Sequence, residues 1–330
     1  MKKQTVLSLG LVVALVFCVT LWGGKAKAQE KKYPNKPIEV VINFAAGGPT
    51  DVWTRIVAPE LQKELGTTLS IQYKPGAGGV IGATYVAAQK PDGYNLLSCS
   101  VSSLVSAPFM EKDAAYDVLK DFTPIASCIV VPNLLVGHTA SNLTSFDVVI
   151  NRAKEKPGAL TCASPGSGTT AQLVIEVLRM HGINLTDVPS KGAAPAVTTL
   201  LGQHVDLATI MYSAALPHVK AGTFRVLATT DKVPAWPTVP TYREKGFPEA
   251  ESLGSLQGFF GPANLPKPIQ DQLATAVQKT LQAPSVKKAL EDAGFTVIYL
   301  GPDALRKKVA DDYQSIDRIV KSAKLGKYAK

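Results

Sequence analysis

The sequence has 330 residues, 46% hydrophobic and 18% charged, with a formal charge of +9. That apolar content excludes intrinsic disorder, and 26 glycines and 23 prolines are too few for a collagen-like or low-complexity chain. The length suggests about two domains, while the basic excess raises a nucleic-acid partner that depends on where the charge lies.

Lys2 and Lys3 precede an unbroken apolar run, Leu11 to Val19, inside a stretch from Gln4 to Gly24 without charge. The run is short for a hydrocarbon core of about 30 Å. It suits a signal peptide, and Ala26-Lys27-Ala28 is a cleavage site that predicts a cut before Gln29. Residues 1–28 therefore read as a signal peptide, the alternative being an uncleaved anchor. Bulky Val16 and Phe17 before Cys18 argue against lipid attachment. Removal of Lys2, Lys3, Lys25 and Lys27 leaves 302 residues with 31 basic and 26 acidic side chains, a charge of +5. No arginine-rich run or basic helix remains, so no nucleic-acid partner is expected. Cys99, Cys128 and Cys162 allow at most one disulfide, Cys99 with Cys128, and buried free thiols are the alternative.

The remaining chain alternates short apolar strands with amphipathic helices, the rhythm of a parallel or mixed sheet with crossover helices. Ile38–Phe44 reads as a buried strand, followed by a helix from about Thr50 to Leu65. Val52, Ile56, Leu61 and Leu65 are expected on its buried face, with a kink at Pro59 and a stop at Gly66. Strands are expected at 69–73 and 95–100, with the glycine-rich 75–79 segment opening a helix between them. Residues 124–131 and 134–137 read as strands broken by Pro132. A strand at 160–163 leads through a tight loop into a helix that places Leu173, Val174, Val177, Leu178 and His181 on one face. Strands follow near 187–189, 205–211 and 224–229, then a proline-rich stretch after Asp231. A strand at 256–260 and helices around a strand at 295–300 close the chain.

His138, His181, His204 and His218 lack metal-site spacing, so no metal is expected, and His181 reads as a packed core histidine. Ser167 fails the nucleophile-elbow pattern and no Walker A sequence occurs. Gly166-Ser-Gly168-Thr-Thr-Ala171 matches G-x-G-x-x-A between a strand and a helix, with Asp187 about twenty residues on. An exported nucleotide-dependent enzyme is the sharpest catalytic reading, and export itself argues against it. The same loop is a helix N-terminus able to hold an anion, and Thr169 or Thr170 as a plain N-cap is the simpler alternative. Ala46-Gly47-Gly48-Pro49-Thr50-Asp51 is a second loop of this kind. Two such loops suggest two anion-holding edges across a cleft.

Several segments resemble the tripartite tricarboxylate transporter receptors, the periplasmic solute-binding proteins also called the Bug family. They are Tyr33-Pro-Asn-Lys-Pro-Ile38, Val41-Ile-Asn-Phe-Ala-Ala-Gly-Gly-Pro-Thr-Asp51, Lys74-Pro-Gly-Ala-Gly-Gly79, Pro91-Asp-Gly-Tyr94, Lys191-Gly-Ala-Ala-Pro195 and Gly258-Phe-Phe-Gly-Pro262. The resemblance covers nearly all of the mature chain in order.

It implies an α/β fold of the periplasmic-binding-protein type II class, two α/β lobes joined by a two-crossing hinge. Lobe one would comprise 33–133 plus 253–330, and lobe two 134–252. It further implies a monomeric periplasmic receptor that captures a di- or tricarboxylate or an aromatic acid without cofactor or catalysis. Its partners would be the large and small membrane subunits of a tripartite tricarboxylate transporter. A sensor feeding a membrane kinase is an alternative. Carried over by position, the first-lobe site would be Phe44, Ala46, Gly47, Gly48, Thr50 and Asp51. Asp51 is expected to cap the helix or hold a water, and Arg55 to be a surface or structural residue. The second-lobe site would be Gly166, Ser167, Gly168, Thr169 and Thr170, with Ser190, Lys191 and Gly192 along the wall. Ser102, Ser103, Tyr212 and Ser213 are further candidates, with loop solvation the alternative. Asn43, Ser190, Phe259 and Asn264 depart from residues frequent in the family, which leaves the ligand's identity open.

Overall fold

The β-branched run Ile38–Ile42 forms β1, buried along most of its length, as an apolar stretch with helices on either side demands. The structure is a computed structural model that describes residues 33–111, 114–166, 169–190 and 192–329. The expected signal peptide and Ser167, Gly168 and Lys191 lie outside the described residues. Residues 36–330 make up one unit, which carries both sheets.

Helix α1 (Pro49–Leu65) starts with proline at N1, continues through Pro59 and ends at Gly66. Its buried face is Trp53, Thr54, Val57, Ala58, Leu61 and Leu65, rather than the one expected through Val52 and Ile56, which are only half-buried. The rotation has a polar cause. Trp53 and Thr54 turn inward to hydrogen-bond Gln257 and Ser98 in the sheet below.

Strand β2 (Leu69–Tyr73) leads through the glycine-rich turn into α2 (Val80–Ala87). Gly82 must be glycine, because a side-chain carbon there would sit 2.9 Å from both the Asn43 Cα and the Lys74 carbonyl. Asn43 Nδ2 donates to the Gly79 carbonyl at 3.2 Å, so Asn43 fastens the β1 end to this turn. Strand β3 (Asn95–Ser100) runs directly into α3 (Val101–Met110), and β4 (Phe122–Val131) is buried throughout. Only Pro132 separates β4 from β5 (Asn133–His138).

Helix α4 (Phe146–Glu155), β6 (Thr161–Ser164), α5 (Thr170–Met180), β7 (Thr186–Pro189), α6 (Ala193–Leu201), β8 (Leu207–Met211), α7 (Tyr212–Lys220) and β9 (Phe224–Thr229) follow. After the proline-rich connection come β10 (Ser255–Pro262), α8 (Lys267–Gln282), α9 (Pro284–Asp292), the two-residue β11 (Thr296–Val297) and α10 (Pro302–Ser322). The last expected strand is thus much shorter than 295–300.

Six strands form one mixed sheet in the order β11-β4-β10-β3-β1-β2, and five form another, β7-β6-β8-β5-β9. In the first, β1 pairs parallel with β2 and β3, while β10 runs antiparallel to β3 and β4. In the second, β6 pairs parallel with β7 and β8, and β5 runs antiparallel to β8 and β9. The chain passes from the first sheet to the second at Pro132 and returns at Gly254. Cys99, Cys128 and Cys162 are buried free thiols, so the Cys99–Cys128 disulfide does not form, and burial pushes all three thiol pKa values up. His181 is not core. It is part-exposed, meets Glu249 at 3.0 Å and stands edge-on to Phe247.

Candidate functional site

The loop after β1 is held from within. The Asp51 carboxylate accepts the Gly47 amide at 2.7 Å, Arg55 Nε at 2.7 Å and the Tyr73 hydroxyl at 2.7 Å, and Arg55 also donates to that hydroxyl. Burial works against the charge, but the hydrogen bonds from Tyr73, Gly47 and Arg55 outweigh it and hold Asp51 below the usual carboxylate range. Its negative charge also suits the first turn of α1. Asp51 therefore shapes the loop and is neutralised before any ligand arrives. Pro49 has no N–H, which leaves the Thr50 and Asp51 amides as the donors of that turn.

Beside this loop lies a cavity of about 420 Å³. Phe44, Ala45, Ala46, Gly48, Pro49 and Thr50 line one side, and Ser100, Ser103, Ser255 and Gln257 form its floor. Thr170 at the start of α5 and Met211 at the end of β8 close it from the second sheet. The floor is a connected polar row. Gln257 Oε1 accepts the Thr50 hydroxyl at 2.7 Å and the Trp53 indole N–H at 2.9 Å, and Gln257 Nε2 donates to Ser255 Oγ at 3.1 Å. Ser255 Oγ meets Ser100 Oγ at 3.0 Å, and Ser100 Oγ meets Ser102 Oγ at 3.1 Å and caps α3 through the Ser103 amide. None of the described lining residues is charged. Such a lining can hold an anion with dipoles and hydroxyls rather than a counter-charge.

The second loop wraps α5. Thr169 is the N-cap: its hydroxyl accepts the Gln172 amide at 3.2 Å and donates to the Gly166 carbonyl at 2.8 Å. Both roles of that hydroxyl are taken, so Thr169→Ala is expected to cost about 1 kcal/mol of stability and to change ligand affinity less than about twofold. Chemical denaturation and calorimetry check the pair, and a tenfold affinity loss would make Thr169 a ligand contact. Thr170 Oγ1 faces the cavity and accepts Asn133 Nδ2 at 3.1 Å. The Ser190 and Gly192 amides bond the Ser164 and Pro165 carbonyls, and the Ser190 carbonyl lies close to Gly166.

Of the expected site residues, Phe44, Ala46, Gly48, Thr50, Ser103 and Thr170 line the cavity. Gly47 and Asp51 bond each other, and Ser102 lies buried behind Ser100. Tyr212 lines a different cavity of about 430 Å³, with Val233, Lys287 and Glu291. Ser213 follows it on α7 and is not among the lining of either cavity. Ser100, Ser255, Gln257 and Met211 were not anticipated. The available signal was alternation, since Ser255 and Gln257 sit two apart on a strand and share a face. Asp187 accepts the Ser164 hydroxyl at 2.7 Å, which engages the carboxylate that a dinucleotide ribose would need. Among the described residues no group of three or more His, Cys, Asp or Glu could hold a metal ion. Among them, too, no helix is long and apolar enough to cross a membrane.

The sequence profile described as "Tripartite tricarboxylate transporter family receptor" matches residues 53–325. Protein BugT of Bordetella pertussis is 33% identical over 308 residues, 92% of this chain and 94% of its own. Two solved structures from Rhodopseudomonas palustris are similar throughout. Rpa4515 with adipate has a TM-score of 0.71 at 29% identity, covering 89% of this chain and 99% of its own. MatC with bound malate has a TM-score of 0.68 at 29% identity, covering 87% and 100%.

Proposed function

This chain belongs to the tripartite tricarboxylate transporter receptor family, and from that premise we propose that it is a periplasmic receptor that captures a small carboxylate. The observation that carries the reading is the cavity of uncharged donors between the β1–α1 loop, the β10 floor and the start of α5. Adipate and malate in the two similar structures support a carboxylate as the ligand class. The protein acts by binding, as a monomer, without catalysis. It is exported by residues 1–28 and delivers its ligand to the large and small membrane subunits of the transporter.

The two sheets are the cores of two lobes, 33–133 plus 253–330 and 134–252, and the crossings at Pro132 and Gly254 are the hinge. Closure can be stabilised only by contacts that the open form lacks, so the ligand must touch both sides of the cavity. Thermal unfolding with malate, adipate, citrate, benzoate, NAD and ATP tests the reading. At a hundredfold excess over Kd a ligand adds about 2.7 kcal/mol, a rise of several degrees. At least one carboxylate is expected to give that rise and neither nucleotide any. A shift with nucleotide alone overturns the proposal.

A further inference from the structure

The cavity has a polar floor and an apolar rim. Thr50, Ser100, Ser255 and Gln257 are buried, whereas Phe44 and Met211 are half-exposed and Ala46 is exposed. Gln257 is the floor's one amide side chain among the described residues, and its orientation is determined by chemistry. An indole N–H can only donate, so the atom that Trp53 reaches at 2.9 Å must be the carbonyl oxygen of Gln257. The Thr50 hydroxyl donates to that oxygen as well. With both lone pairs engaged, the amide cannot flip without stranding the buried Trp53 N–H, which can only donate. Nε2 therefore always faces the Ser255 side, and Ser255 takes one of its two hydrogens. No described residue accepts the other. The neighbouring hydroxyls of Ser255 and Ser100 can each donate or accept, so an anion placed there can turn the row's hydrogens toward itself.

Resting on the carboxylate reading, we propose that Gln257 Nε2 and the Ser255 hydroxyl hold the carboxylate head of the ligand. The ligand itself is then an acid with one such head and an apolar body, alkyl or phenyl, lying along Phe44 and Met211. Uncharged donors can serve one desolvated carboxylate. Each further one would find no counter-charge among the described lining residues, and a hydroxylated polyacid would leave the apolar rim unused.

Calorimetry with hexanoate, phenylacetate, malate and citrate tests this on the wild type and on Q257E. Glutamate keeps the acceptor for Thr50 and Trp53 and replaces only the donor. Hexanoate or phenylacetate is expected to bind at least tenfold tighter than malate and citrate. Q257E is expected to lose at least tenfold of that affinity at pH 8 and to recover part of it at pH 5.5, where a protonated carboxyl can donate again. Malate or citrate binding as tightly as the apolar acids overturns the ligand class. Unchanged affinity in Q257E overturns the role of Gln257. If the wild type binds no carboxylate at all, the receptor reading fails and takes the inference with it, an outcome distinct from both others. Should Q257E not fold by circular dichroism, Gln257→Met replaces it, with the same tenfold loss expected and retained affinity overturning the role.

Discussion

Trp53→Ala is expected to lower unfolding stability by about 3–5 kcal/mol, the range for deleting a large buried aromatic side chain. Trp53 is fully buried under α1, and its ring stands edge-on to Phe259 with centroids 5.0 Å apart. Its indole also makes the hydrogen bond that orients Gln257. Trp53→Phe separates these two contributions, because phenylalanine keeps much of the apolar contact and loses the N–H. The loss for Trp53→Phe is expected to be about 1–3 kcal/mol, combining the missing ring volume with one weakened acceptor site on Gln257. Urea titrations of both variants measure the difference. Equal losses would mean that the hydrogen bond and not the packing carries the stabilisation. A loss under about 1 kcal/mol for Trp53→Ala would mean that α1 collapses onto the gap.

Stability is expected to fall as pH rises from about 4 to 8, the reverse of ordinary acid denaturation. Two carboxyls near the return crossing are responsible. Burial pushes Asp312 up to about 7, with the Lys308 ammonium at 2.5 Å only partly offsetting it, and Asp231 and Glu251 add repulsion. Burial pushes Asp231 up to about 6, against a hydrogen bond from the Thr230 hydroxyl at 2.7 Å and the more distant Lys308. Asp231 Oδ2 lies 2.0 Å from where a side chain on Gly254 would begin, so the crossing residue has to be glycine for the carboxyl to fit.

The folded protein therefore binds more protons than the unfolded chain between pH 3.8 and about 7. Stability from these two groups is full below that window and is lost as pH climbs through it. The deficit at pH 8 is on the order of a few kcal/mol. Asp51 and Glu249 are lowered and act the other way, losing stability only as pH falls below about 4. Asp117 and Glu244 are lowered too, but they are well exposed and count for little. A maximum near pH 4–5 is the expected sum. Asp312→Asn should raise the melting temperature at pH 8 and flatten the profile. A profile that climbs steadily from pH 4 to 8, unchanged in Asp312→Asn, would contradict the assignment.

Much of this was legible in the chain before folding. Apolar runs bounded by glycine and proline placed the strands to within a few residues, because burial on both faces leaves a strand little choice of composition. The glycine turn that opens α1 was legible for a similar reason, and so was Arg55 as a surface or structural residue rather than a ligand contact. A glycine-rich turn entering a helix has few uses, and Arg55 falls one turn from Asp51 on the same face. The buried face of α1 was not legible. Helical periodicity counts apolar residues, and this face is chosen by Trp53 and Thr54, whose partners Gln257 and Ser98 are remote in sequence.

By itself the sequence determined the alternation of strands and helices, the two helix-entering loops and the family to which the chain belongs. Each of these is written in residues close together along the chain. Only the tertiary structure decided what stands beneath the first loop. Thr50 and Gln257 are 207 positions apart, and they meet because β10 returns between β3 and β4 after the chain has built the second sheet. That return makes the floor of the cavity a row of hydroxyls around one oriented amide. Local pattern could not reveal it, since a glutamine and a serine on a strand acquire chemical meaning only from the donors that other strands and helices bring to them.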